Sequence, residues 1–314
     1  MNNKSKKAIL IIIPIMLFCG IFMAEHIGQD GKMVDYFNVW SCIKHGQFEE
    51  ANPYAVYSCE SYPPLLIQIG SIMKGKEIYY KQFLLLLFGL LMPLVLFKYT
   101  NNPITVFFYF SATNYFWALL TSSFFAQALA LMLILSMGWL KEWQRIAVLF
   151  LSIIAHSTSF LMALGFYLLL LIQENKFKLP QIFVGCSPFW GKTGPPAVID
   201  GKMPSAVLSN TAGYLTPNVL LSVFFKRIPI PFAYFSVKEL IKKNQIALLG
   251  LFFFSFMVGA VFHERAFYFM ALPMVIGLTW YYEKSETRMK NLILLISGLL
   301  MIFHILQFFM VLQC

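Results

Sequence analysis

Apolar runs recur along the whole chain, separated by short polar breaks rich in Lys and Arg. Crossing the hydrocarbon of a bilayer takes a helix of about 17–25 apolar residues. The pattern predicts spans over 8–24, 79–97, 104–117, 122–140, 146–172, 214–236, 245–262, 266–282 and 291–312. The run 146–172 reads as one tilted crossing, and 214–236 is interrupted by Lys226, Arg227, Pro229 and Pro231. Between the first two spans, Val34, Phe37, Trp40 and Ile43 recur every third residue. That spacing predicts an amphipathic helix over 33–45 lying along the membrane surface. Asp35 falls in its first turn, where a helix N-terminus favours a carboxylate, and Gly46 is its stop. The prolines of Tyr62-Pro63-Pro64 hold the backbone extended. Leu65–Met73, apolar but too short to span, is an interfacial or re-entrant helix.

Composition agrees with the pattern. The 314 residues are 59% hydrophobic and 12% charged, about half the charge of a soluble domain. The chain is expected to be one all-α polytopic membrane domain over 1–314, a bundle of about nine transmembrane helices with external interfacial helices. The net charge of +10 reads as membrane topology, and no nucleic-acid motif accompanies it. Lys4, Lys6 and Lys7 precede a first span without a small-x-small cleavage site, which reads as a retained signal-anchor.

With nine crossings, Lys4/Lys6/Lys7, Lys98, Lys141/Arg145, Lys238/Lys242/Lys243 and Lys284/Arg288/Lys290 fall on one side. Short basic loops of that kind are cytoplasmic. The other side receives two long loops, 25–78 and 173–213, and with them Asp30, Asp35 and Asp200. It also receives His263-Glu264-Arg265, three ionisable residues between two long apolar runs. Charges in that position either anchor helix ends at the interface or line a polar site. Two crossings within 146–172 would spoil this count unless the chain crossed once more near 178–190.

Asp35, the surface helix with its aromatic and terminal Gly, Asn52-Pro53-Tyr54, Tyr62-Pro63-Pro64-Leu65, Tyr214-Leu215-Thr216-Pro217-Asn218 and His263-Glu264-Arg265 followed by Pro273 occur in that order. Together they resemble the GT-C superfamily of polytopic glycosyltransferases that use polyprenyl-phosphate sugars. The bacterial mannosyltransferase-like members and the asparagine-linked-glycosylation glucosyltransferases are the nearest in pattern. The chain departs from many of them at Phe125-Ala126-Gln127-Ala128, which lacks the acid of their Gln-plus-acidic motif.

The resemblance implies inverting transfer of a hexose, mannose or glucose, from a polyprenyl-phosphate donor to a lipid-linked or cell-surface glycan. It implies Asp35 as the general base, with Asp30 in reserve. Arg265 and His263 would receive the donor phosphate and Glu264 would orient them. Tyr36, Tyr62 and His156 are candidate substrate contacts. His156, in a polar notch of an apolar run, reads equally as a hydrogen-bonded packing residue. No cofactor is expected, and no His/Cys/Asp set has metal-ligand spacing. Cys42 and Cys59 are a candidate disulfide if their compartment is oxidising. The partners are then the donor lipid, a glycan or glycolipid acceptor and the bilayer, without nucleic acid. The membrane is expected to be a bacterial plasma membrane with an external active face, or the endoplasmic reticulum with a lumenal one. Two other classes stay open. A polysaccharide polymerase of the exopolysaccharide or O-antigen type would need functional Arg in external loops, where Arg227 and Arg265 are the candidates. A lipid or glycan transporter would need charges within spans or internal repeats.

Overall fold

The structure, a computed structural model, describes residues 7, 10–15, 40, 42–44, 64–73, 76–114, 116–117, 125–155, 159–174, 229–261 and 267–313. Among these it is all-helical, without a strand. The helices are α1 (Pro64–Ser71), α2 (Glu77–Thr100), α3 (Ile104–Ser111), α4 (Phe125–Ser136) and α5 (Glu142–Ala155). They continue with α6 (Ser159–Gln173), α7 (Ile230–Lys242), α8 (Ile246–Val261), α9 (Phe267–Lys284) and α10 (Thr287–Gln313). Residues 10–15, 40 and 42–44 are also helical.

The centre of the bundle is α9. Residues 269–280 are all buried, as expected of a helix that is apolar on every side. It packs against α7, α8, α3 and the second half of α2. Its closest crossing is with α7. A Cβ on Gly277 would lie 2.6 Å from the Ser236 carbonyl oxygen, so only glycine permits the approach. The Ser236 hydroxyl lies 2.6 Å from the Phe232 carbonyl and 2.8 Å from the Met274 carbonyl, bridging the two helices. A small residue facing a hydroxyl is the packing device of membrane helix pairs.

Among the described residues two helices are long and apolar enough to cross a membrane: Glu77–Thr100, of 24 residues, and Thr287–Gln307, of 21. At 1.5 Å per residue both exceed the roughly 30 Å of hydrocarbon. Along α10, Leu295, Leu299, Ile302 and Leu306 form an outward stripe, each between 55% and 61% exposed. In water such a stripe is an association hazard; in a bilayer it faces acyl chains.

Within α2, residues Leu87–Leu91 form a π-turn, closed by the Met92 N–H on the Leu87 carbonyl. In that register the Phe88 carbonyl would be met by residue 93, which is proline and has no N–H. The Tyr109 hydroxyl of α3 donates to it instead, at 2.7 Å. Left unpaired, that buried carbonyl would cost about 1–3 kcal/mol. The helix ends at Asn101, in the left-handed region at φ 52°, a conformation that asparagine tolerates.

Two expectations need correction. The segment 146–172 is not one tilted crossing. It is the hairpin α5–α6, whose outer ends meet: Arg145 Nη2 lies 2.5 Å from Glu174 Oε1. Helices of 14 and 15 residues are about 21–23 Å long, short for a bilayer. The second correction concerns 214–236. Its described part begins at Pro229, and the helix runs to Lys242. Pro231 opens this helix rather than interrupting it, because the first turn needs no N–H from it.

Candidate functional site

The polar contacts of the described helices gather at one end of the bundle. The Tyr99 hydroxyl donates to the Leu135 carbonyl at 2.6 Å and its ring meets Trp139, joining the end of α2 to the end of α4. Arg145 Nε donates to the Met137 carbonyl at 2.8 Å, and its two terminal nitrogens grip the Glu174 carboxylate at 2.9 and 2.5 Å. This joins α4, the start of α5 and the end of α6. The Gln173 side chain accepts from the Ala247 N–H at 3.2 Å, adding the start of α8. Asn102 donates to Glu283 at 2.8 Å, linking the start of α3 to the end of α9. Lys284 donates to Glu239 at 2.7 Å, and the Lys243 ammonium lies 4.6 Å over the Trp280 ring. These contacts tie α2, α4, α5, α6 and α8 into one series and α3, α7 and α9 into another. Lys98, Lys141, Arg145, Lys238, Lys242, Lys243, Lys284, Arg288 and Lys290 all belong to these helix ends. This is the basic end.

Its buried carboxylate Glu239 and its buried guanidinium Arg145 are each ion-paired, so these contacts clamp helix ends together. Burial alone would raise the Glu239 carboxyl pKa. The hydrogen bond and charge of Lys284, with Lys242 beside it, outweigh burial and hold the pKa below its ordinary value. A depressed carboxylate pKa stabilises the fold above the unfolded-state value, and that stability is lost as pH falls through the folded value. The melting midpoint of the wild type should therefore exceed that of Glu239→Gln at neutral pH. The gap should close below about pH 4. A gap unchanged across a pH series of thermal melts would show that the carboxylate charge contributes nothing.

The opposite end is built differently. Because α5 starts and α6 ends at the basic end, Ala155 and Ser159 are remote from it. So are Val261 and Phe267, since α8 starts and α9 ends there. Tyr80 opens α2 at this far end, and Trp40 stacks on it with ring centroids 5.5 Å apart. Trp40 and Ile43 are buried, and a Cβ at Gly70 of α1 would collide with Ile43. Trp40 and Ile43, the described part of the first-loop stripe, thus face α2 and α1. Below α3, Phe110 and Phe116 meet edge to face at 4.9 Å and the Trp117 N–H donates to the Phe110 carbonyl at 2.9 Å. These rings pack together at and just beyond the end of α3.

Asp30, Asp35, Tyr36, Cys59, Tyr62, His156, His263, Glu264 and Arg265 lie outside the described residues. Residues 156–158 and 262–266 fall, in sequence, between helix ends that lie at the far end. Cys42 is disulfide-bonded, with a partner outside the described residues. The loop 173–213 was expected on the side away from the basic loops. Gln173 and Glu174, its first residues, lie at the basic end, held there by Ala247 and Arg145. The next described helix, α7, also ends at the basic end, where Glu239 meets Lys284.

The ion pairs Arg145–Glu174 and Glu239–Lys284 were missed from the sequence. Their signal was present as single charges bounding apolar runs at both ends. Among the described residues no group of three His, Cys, Asp or Glu side chains is placed to hold a metal ion. No family model, curated protein or solved structure matches the chain.

Proposed function

We propose that the protein is an integral-membrane inverting glycosyltransferase of the GT-C kind, carrying a hexose from a polyprenyl phosphate to a lipid-linked or surface glycan. The observation that carries this reading is the division of the bundle into two ends. One end gathers the cations Lys98, Lys141, Arg145, Lys238, Lys242, Lys243, Lys284, Arg288 and Lys290 at the helix ends. The other is where the described part of the first-loop helix packs and where the helix ends around 262–266 meet. Short loops dense in Lys and Arg mark the cytoplasmic side, so the far end is the external one. The membrane is a bacterial plasma membrane, with the endoplasmic reticulum as the other setting of the same geometry.

Asp35 takes the proton of the acceptor hydroxyl as its oxygen bonds to the anomeric carbon, with Asp30 in reserve. The bond from that carbon to the phosphate oxygen breaks, and the electron pair leaves with the polyprenyl phosphate. Arg265 receives the phosphate because its guanidinium fork matches phosphate oxygens and keeps its charge. His263 adds a hydrogen bond and Glu264 orients the pair. Tyr36, Tyr62 and His156 contact the sugar or acceptor. The test is transfer of label from polyprenyl-phosphate [³H]mannose or [³H]glucose to glycan in membranes carrying the protein. One of the two should transfer above membranes lacking it; transfer from neither would remove the proposal.

A further inference from the structure

An open groove of about 380 Å³ runs down the outer side of the bundle between α2 and α4. Leu91 and Leu94 form one wall and Met132 and Leu133 the other, and Lys98 and Trp139 line its basic end. The volume lies in the lower part of the range of ligand clefts, about 300–1,000 Å³. Its walls are held in place. Tyr99 beside it bonds to the Leu135 carbonyl, and a Cβ on Gly138 would collide with that hydroxyl. Leu91 belongs to the π-turn of α2, an irregularity often found at functional sites.

Of the three polar residues lining it, Ser136 is spent on the Leu133 carbonyl, and Lys98 and Trp139 are available. Lys98 is exposed and makes no ion pair with the described residues. The Trp139 indole N–H has no hydrogen-bond acceptor among them, its ring meeting only Tyr99. Lys98 sits in the last turn of a helix long enough to span the bilayer; in a bilayer that helix end reaches the headgroups, where Trp rings and snorkelling Lys side chains are favoured. An apolar trough ending in a cation and an N–H donor matches an acyl chain ending in a phosphate.

We propose that this groove retains an anionic glycerophospholipid of the leaflet facing the basic end, with an acyl chain along Leu91, Leu94, Met132 and Leu133 and its phosphate on Lys98 and Trp139. This leaflet supplies such lipids when the basic end is cytoplasmic. The inference rests on the bilayer setting of the proposed function but not on hexose transfer, so the two fail independently.

The test presents the delipidated full-length protein with phosphatidylglycerol or phosphatidylcholine of identical acyl chains and counts retained lipid by native mass spectrometry. The wild type should favour phosphatidylglycerol by about fivefold, the effect of one cation near an anionic headgroup. Lys98→Gln should bring the ratio to about one, and Lys98→Glu should invert it. Leu94→Trp, or Leu133→Trp from the facing wall, should lose both lipids. Equal retention of the two lipids by the wild type would overturn the proposal. So would a preference that survives Lys98→Gln and Lys98→Glu, or retention unchanged in a folded groove-filling variant.

Discussion

Asp35→Asn should lower hexose transfer by about 10²–10⁴-fold at unchanged protein level, the usual contribution of a general base. The amide keeps the shape of the carboxylate and removes its ability to take a proton. Arg265→Ala should also lose most of the activity, but with a different signature. Loss of the phosphate partner weakens donor binding as well as departure of the leaving group, so KM for the donor should rise while kcat falls. Asp35→Asn should leave that KM nearly unchanged. The competing role for Asp35 is a plain charge at a helix N-terminus, worth about 0.3–1 kcal/mol of stability. That role leaves kcat at the wild-type value, so full activity in Asp35→Asn would eliminate it as the base.

Arg145→Met should cause a large loss of stability. Arg145 is 6% exposed and satisfies three acceptor atoms on two elements, the Met137 carbonyl and both Glu174 oxygens. Removing one partner of a buried ion pair costs about 3–5 kcal/mol. The lower part of that range applies, because the Glu174 side chain is 26% exposed. Lysine should not rescue, since a single ammonium cannot reproduce a planar fork that also reaches Met137. Glu174→Met in the Arg145→Met background should recover part of the loss by removing the stranded carboxylate. Thermal unfolding of the four proteins in one detergent measures this. A single variant melting with the wild type would contradict the account of how α4, α5 and α6 are clamped.

Much of the helical framework was legible because its signal is local. The apolar runs 79–97, 245–262, 266–282 and 291–312 fall within or nearly coincide with α2, α8, α9 and α10. Hydropathy failed where direction mattered. Across 146–172 apolarity continues through the polar notch at 156–158, and composition cannot tell a crossing from a hairpin. The fact that settles it, Arg145 against Glu174, joins residues 29 positions apart. The same long-range pair moves the start of the loop at 173 to the basic end. Periodicity found the buried stripe of Trp40 and Ile43 but not its partners, because an amphipathic face looks alike whether it meets lipid or Tyr80. The chemistry proposed for Asp35 and for His263-Glu264-Arg265 lies outside the described residues and rests on the sequence pattern.

The central claim is that positions 35 and 264 share the membrane face opposite the basic end. Single cysteines introduced at 35, 264 and 141, in membranes of known sidedness, should separate with a membrane-impermeant maleimide. Positions 35 and 264 should label from the external side without permeabilisation, and position 141 only after it. Labelling of 35 and 264 from opposite sides, or of either from the side that labels 141, would contradict it.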